Sequence, residues 1–163
     1  MKSIRSGREL LNQLKLENIQ FYEVRARLYA GFGEAPSDSS LPSDAAASGG
    51  GSDENSEQRW KFLVQLDIRN VNLRAQLEIR GPDARYNIDA AVFYSSSDDF
   101  QVARESLEEF LNRAAMLAIY PFIREALHES ARKIGASPPL LGMFDAESIQ
   151  IDLTDSDEEP RKN

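Results

Sequence analysis

Apolar and polar residues alternate through three consecutive stretches in the middle of the chain. Phe62, Val64, Leu66 and Ile68 share one parity, interleaved with Leu63, Gln65, Asp67 and Arg69. Val71, Leu73, Ala75, Leu77 and Ile79 share the next, against Asn72, Arg74, Gln76, Glu78 and Arg80. Tyr86, Ile88, Ala90, Val92 and Tyr94 make the third. A period of two predicts strands. Parity reverses between the first two runs, which predicts a turn or kink near Asn70, and Gly81-Pro82-Asp83 is a turn signal. Connections this short make the three an antiparallel meander. Upstream, Leu14 and Leu16 share a parity, as do Ile19 and Phe21, before Tyr22, Val24, Ala26 and Leu28 take the other. Alternation that changes phase predicts a long first strand with a bulge.

The period then lengthens. Ser97-Asp98-Asp99 offers a helix start, with acids at its positive end. Val102, Leu107, Phe110, Leu111, Ala114, Leu117 and Ala118 fall on one broad face at helical spacing, leaving Met116, Ile119 and Phe122 off it. Pro121 predicts a break or kink near Ile119. A second helical run from Pro121 to Ile134 carries Ile123, Leu127 and Ile134, and Gly135 stops it. Further on, Ser148 to Leu153 alternates like a strand. Four strands followed by two helices, with no internal repeat, predict an α+β fold: a four-stranded antiparallel sheet packed with two helices.

Charge divides the chain further. Residues 33–58 hold six acids and no base, with Leu41 as the one large apolar residue. Such a segment cannot bury enough surface to offset its ordering entropy, so a long disordered loop is expected between strands one and two. Residues 145–163 form an acidic tail with a net charge of -5. Residues 1–32 are too few to fold alone. They join 59–144 in a single domain. Outside loop and tail the charge is near +3, without the basic stripe that phosphate backbones require, so nucleic acid is not expected as a partner.

The chain has no Cys and one His, which excludes disulfides, thiolate metal sites and Cys nucleophiles. Glu125-x-x-His128 has the spacing of carboxylate-bridged metal bundles, but such sites need the motif twice. Gly49-Gly50-Gly51 has no Lys after it to make a phosphate loop. Neither an enzyme nor a cofactor is expected. No stretch approaches the roughly 20 apolar residues of a membrane span. Leu10 to Leu16 is interrupted by Asn12, Gln13 and Lys15 and forms no signal-peptide core, so a cytoplasmic protein without membrane insertion is expected.

Two segments carry a family resemblance. Tyr120-Pro121-Phe122-x-Arg124-Glu125, a helix, then Pro139-Leu140 resembles the SecB family of protein-export chaperones, as does Trp60-x3-Val64-x-Leu66-Asp67-Ile68. The order of elements is also similar, with residues 33–58 in the place of that family's crossover loop. The resemblance covers roughly residues 14–32 and 59–145. It implies a homotetramer, a dimer of dimers, whose apolar grooves bind unfolded preproteins without ATP and pass them to SecA. The family also includes solitary chaperones dedicated to an antitoxin. Apolar surplus on both sides of the first strand independently favours self-association.

Candidates to line a client groove are Trp60, Phe62, Val64, Leu66 and Ile68 from the second strand, with Leu127, Met143 and Phe144 from the last helix and beyond. The strand residues are equally explained as plain core. Trp60, the one tryptophan, beside the loop, favours an interface anchor. By the resemblance Glu23 is a SecA-contact candidate, but Arg27 reverses the second acid expected on that strand. An adaptor for a single partner and a purely structural oligomer stand as alternatives.

Overall fold

The computed structural model describes residues 2–29, 56–141 and 149–153. Its centre is a four-stranded antiparallel sheet. In chain order, with a short strand β1 (Lys2–Ile4) before them, its strands are β2 (Lys15–Leu28), β3 (Glu57–Leu66), β4 (Asn70–Arg80) and β5 (Ala84–Ser95). Their spatial order is β2-β5-β4-β3, so β2 and β3 are the two edges. The α+β expectation holds. β3 begins at Glu57, which pairs with Arg80, so the last residues assigned to the acidic loop belong to the sheet. Residues 33–55 lie outside the described residues.

The expected bulge in the first strand is present. Register against β5 shifts between Phe21 and Glu23, and again between Leu16 and Asn18. The extra residue Tyr22 lies on the outer sheet face, where the Arg74 guanidinium sits 4.3 Å from its ring centroid. The parity reversal between β3 and β4 is a tight turn. The Asp67 carboxylate accepts hydrogen bonds from the backbone N–H groups of Arg69 and Asn70, each 2.8 Å. This turn takes Ile68 out of the strand and leaves it exposed, which corrects its assignment to the second strand.

The chain does not enter a helix at Ser97-Asp98-Asp99. It first makes strand β6 (Phe100–Val102), parallel to β1, with Lys2 opposite Phe100. The Ser96 and Asp98 groups bond to one another across the turn instead of capping a helix. Helix α1 (Gly7–Gln13), also unforeseen, starts on Ser6, whose hydroxyl accepts from the Glu9 N–H at 3.1 Å. It packs against α2 (Arg104–Phe110) at Gly7, where a Cβ would meet the Phe110 nitrogen at 2.8 Å.

α2 runs through one π-helical turn (Leu111–Ala115) into α3 (Met116–Lys133). The wider turn inserts one residue and rotates everything after it. Ala115, Met116 and Ile119 are therefore buried, while Leu117 points to solvent. The helical face read on an unbroken α-helix keeps Ala114 against the core but misplaces Met116, Leu117 and Ile119 for this reason. Pro121 does not break α3. It lies on the exposed side above Leu117, whose freed carbonyl water can solvate, and packing of Tyr120 and Ile123 holds the helix. Gly135 ends the run at φ 72°.

α3 packs on β5 and β2 over the inner face of the sheet. The core is the inner residues of β4 and β5, closed by Leu107, Phe110, Leu111, Met116, Ile119, Ile123 and Leu127. Tyr94 meets Phe110 edge to face at 5.1 Å.

Candidate functional site

The same alternation builds all four strands, but α3 lies mainly over β5 and β2, and the inner sides of both edge strands stay partly exposed. The first turns of α3 reach the β3 edge, where Tyr120 stacks on Trp60 at 6.1 Å. Its last turns reach the β2 edge, where Ala126 and Ile134 face Phe21, Val24 and Ala26. Each edge thus carries an apolar strip that the chain does not cover.

On the β2 side the strip is an open cleft of about 460 Å³. Phe21 and Val24 form one wall and remain well exposed. Lys133 and Glu129 make a polar rim, joined by an ion pair of 2.9 Å. Lys133 holds the Glu129 carboxyl below the usual carboxylate range, so the rim stays ionised.

On the β3 side, Trp60 and Phe62 stack at 5.8 Å with ring planes 11° apart. Trp60, Phe62 and Val64 are half-buried and rest against the core, whereas Leu66 is exposed. Burial pushes the Tyr120 phenol pKa up.

Trp60, Phe62, Val64 and Leu66 are thus brought onto one face, as alternation requires. Two proposed companions are not. Leu127 is fully buried on the core-facing side of α3 and offers nothing to a partner in this state. Ile68 sits in the turn beyond the strand. Met143 and Phe144 lie outside the described residues. Glu23 is on the opposite sheet face, paired with Arg25 at 3.0 Å and in register with Asp89. Nearby, Asp89 accepts two hydrogen bonds from Arg74 (2.8 and 2.7 Å) and one from Gln76 (2.8 Å). Arg74 holds the Asp89 carboxyl below its usual range. Among the described residues no group of three metal-ligating side chains could hold a metal ion, and Glu125 and His128 stand without a third.

The sequence reading missed the β2 cleft and the role of Tyr120. Signals for both were available. Val24, Ala26 and Leu28 continue the inner alternation past the bulge, and Tyr120 shares a helical face with Ile123 and Leu127.

No protein-family model matches the chain. The SecB-like chaperone SmegB of Mycolicibacterium smegmatis is 24% identical over 143 residues, covering 88% of this chain and 84% of SmegB. The fold is similar to that of a Mycobacterium tuberculosis SecB-like chaperone, solved in complex with a ChAD peptide from the HigA1 antitoxin. That match has a TM-score of 0.61 at 15% identity and covers 85% of this chain and 93% of the other. The chain is SecB-like. In this SecB-like fold the two uncovered strips flank the same helix, one above each edge strand. No helix among the described residues is long and apolar enough to cross a membrane.

Proposed function

We propose that this SecB-like protein is an ATP-independent holdase, working in the cytoplasm, that grips apolar segments of unfolded proteins on the strips beside α3. The observation that carries this is the exposure of Phe21, Val24, Leu28 and Leu66 on the core-facing side of the sheet. A folded monomer has little reason to leave its inner sheet face uncovered at both edges. An unfolded chain supplies apolar side chains to cover it, at about 25 cal/mol per Å² buried. Each contact is weak and tolerant of sequence. Copies of the strips on a homotetramer, acting on one client, multiply the affinity. Binding the unfolded state alone keeps the client unfolded with no energy source.

A second reading is a chaperone dedicated to one antitoxin. It is favoured by the antitoxin peptide bound to the M. tuberculosis neighbour. Delivery of preproteins to SecA draws less from this chain. Glu23 is already paired with Arg25, and Arg27, Arg85 and Arg80 follow one another in register across three strands of the outer face.

Light scattering of the purified protein, alone and with a reduced, unfolded client, tests the main reading. The expected result is a tetramer that forms a stable complex with the unfolded client and ignores the native one. A chain that binds an antitoxin peptide and no other unfolded protein establishes the dedicated reading. A chain that binds neither overturns both.

A further inference from the structure

The π-helical turn places Asn112 in an unusual relation to the C-terminal part of the chain. Its side-chain carbonyl accepts the Ile151 N–H at 2.7 Å, and its amide donates to the Ile151 carbonyl at 3.0 Å. The same amide donates to the Glu108 carbonyl of its own helix at 2.9 Å, which fixes its orientation. One turn earlier, the Glu108 carboxylate accepts the Leu153 N–H at 3.1 Å. In an extended chain, residues two apart turn their backbone groups to the same edge. Here the segment runs from a bend at Ile149 to a 3-10 turn at Leu153, and Asn112 and Glu108 bond the backbone of residues 151 and 153. The side chains follow the same period. Ile151 is buried, Ile149 and Leu153 pack against the core, and Gln150 and Asp152 are exposed.

All three hydrogen bonds to the segment read backbone atoms of residues 151 and 153, which every residue except proline can offer in full. What the site requires of its occupant is open backbone groups two residues apart and an apolar residue at every second position. We propose that the surface around Glu108 of α2 and Asn112 of the π-helical turn is a receptor for segments of that pattern, and that residues 149–153 are its built-in occupant. An unfolded client segment with alternating apolar residues competes for it. That last step rests on the holdase reading; the receptor itself does not. A tethered occupant is held by its high effective concentration more than by intrinsic affinity, so a client already gripped elsewhere on the protein can displace it.

The test uses the full chain. Ile151→Ser cripples the occupant and leaves the receptor; adding Asn112→Ala removes the receptor as well. A fluorescein-labelled peptide with the sequence of residues 147–155 is titrated into both and followed by anisotropy. Saturable binding to the Ile151→Ser chain, weakened about tenfold or more by Asn112→Ala through two lost hydrogen bonds, is expected. Equal binding to both, or none to the Ile151→Ser chain while its melting curve remains cooperative, overturns the receptor. Should Ile151→Ser fail to fold, amide exchange at Ile151 in the Asn112→Ala chain takes its place. Faster exchange there than in the unaltered chain is expected, and unchanged exchange overturns the proposal. Reduced, carboxymethylated lactalbumin is then added to the unaltered chain. Faster exchange at Ile151 and Leu153 is the expected result. Client bound with both amides still protected overturns the competition and leaves the holdase standing. No client bound at all overturns the holdase and the competition together, and leaves the receptor to the peptide titration.

Discussion

β3 and β4 are neighbours in one sheet, with the same alternation and the same kinds of residue facing inward. Trp60 lies opposite Leu77, Val64 opposite Leu73, and Leu66 opposite Val71. The β4 member of each pair is at most 2% exposed, while Leu66 is 45% exposed and Trp60 and Val64 are half-buried. Side-chain chemistry does not separate the two strands. Position does, because β4 lies inside the sheet with its inner face covered, whereas β3 is an edge that α3 meets at Tyr120. An alternating strand is therefore committed to the core only once its cover is known, and the same pattern at an edge can serve a partner.

Substitutions along this gradient should trade stability for binding. Leu77→Ala removes a buried side chain from the covered strand and should cost about 3 kcal/mol, seen as a lower midpoint in urea, with client affinity unchanged in the fraction that remains folded. Asp89→Asn, on the outer face of β5, should cost about 2 kcal/mol at neutral pH by loosening the Arg74 and Gln76 bonds. The sign of its pH dependence is fixed. Arg74 lowers the folded-state pKa of Asp89, so its contribution is complete above the ordinary carboxylate value near ~3.9 and fades as pH falls through the lower folded value. The substitution should thus flatten the acid limb of a stability–pH curve below about pH 4. Trp60→Ala should cost only about 1 kcal/mol in stability, because the ring is already partly exposed, but should weaken binding of an unfolded client by about tenfold. Val24→Ser, in the β2 cleft, should change stability by less than about 0.5 kcal/mol and still weaken the client by a few fold. A Val24→Ser chain that loses as much stability as Leu77→Ala would place the cleft in the core.

Much of the fold was legible because alternation survives any context. The four strands of the central sheet, the turn at Asn70, the bulge after Phe21 and the stop at Gly135 all follow from local residues, whereas the short strands β1 and β6 were not foreseen. Helix α1 was legible too, in the capping pattern of Ser6 and Glu9, but Asn12 and Gln13 obscured its apolar face. The π-helical turn was not. A single extra residue in a helix leaves no composition signal, and it rotated Met116 and Ile119 inward and Leu117 outward. The pairing of Ile149 to Leu153 with a helix was hidden for a related reason. The segment alternates like a strand, but its partner is the side chain of Asn112. Of the site, Trp60, Phe62, Val64 and Leu66 could be placed on one face, yet core and surface could not be told apart without α3.

Trp60 is the one tryptophan of the chain and lies within the proposed surface, so its fluorescence reports occupancy directly. Titration with a reduced, unfolded client that contains no tryptophan should shift Trp60 emission saturably, and the same client in its native state should leave it unchanged. An emission spectrum that ignores the unfolded client, with no complex formed, would contradict the account that the uncovered strips beside α3 hold unfolded chains.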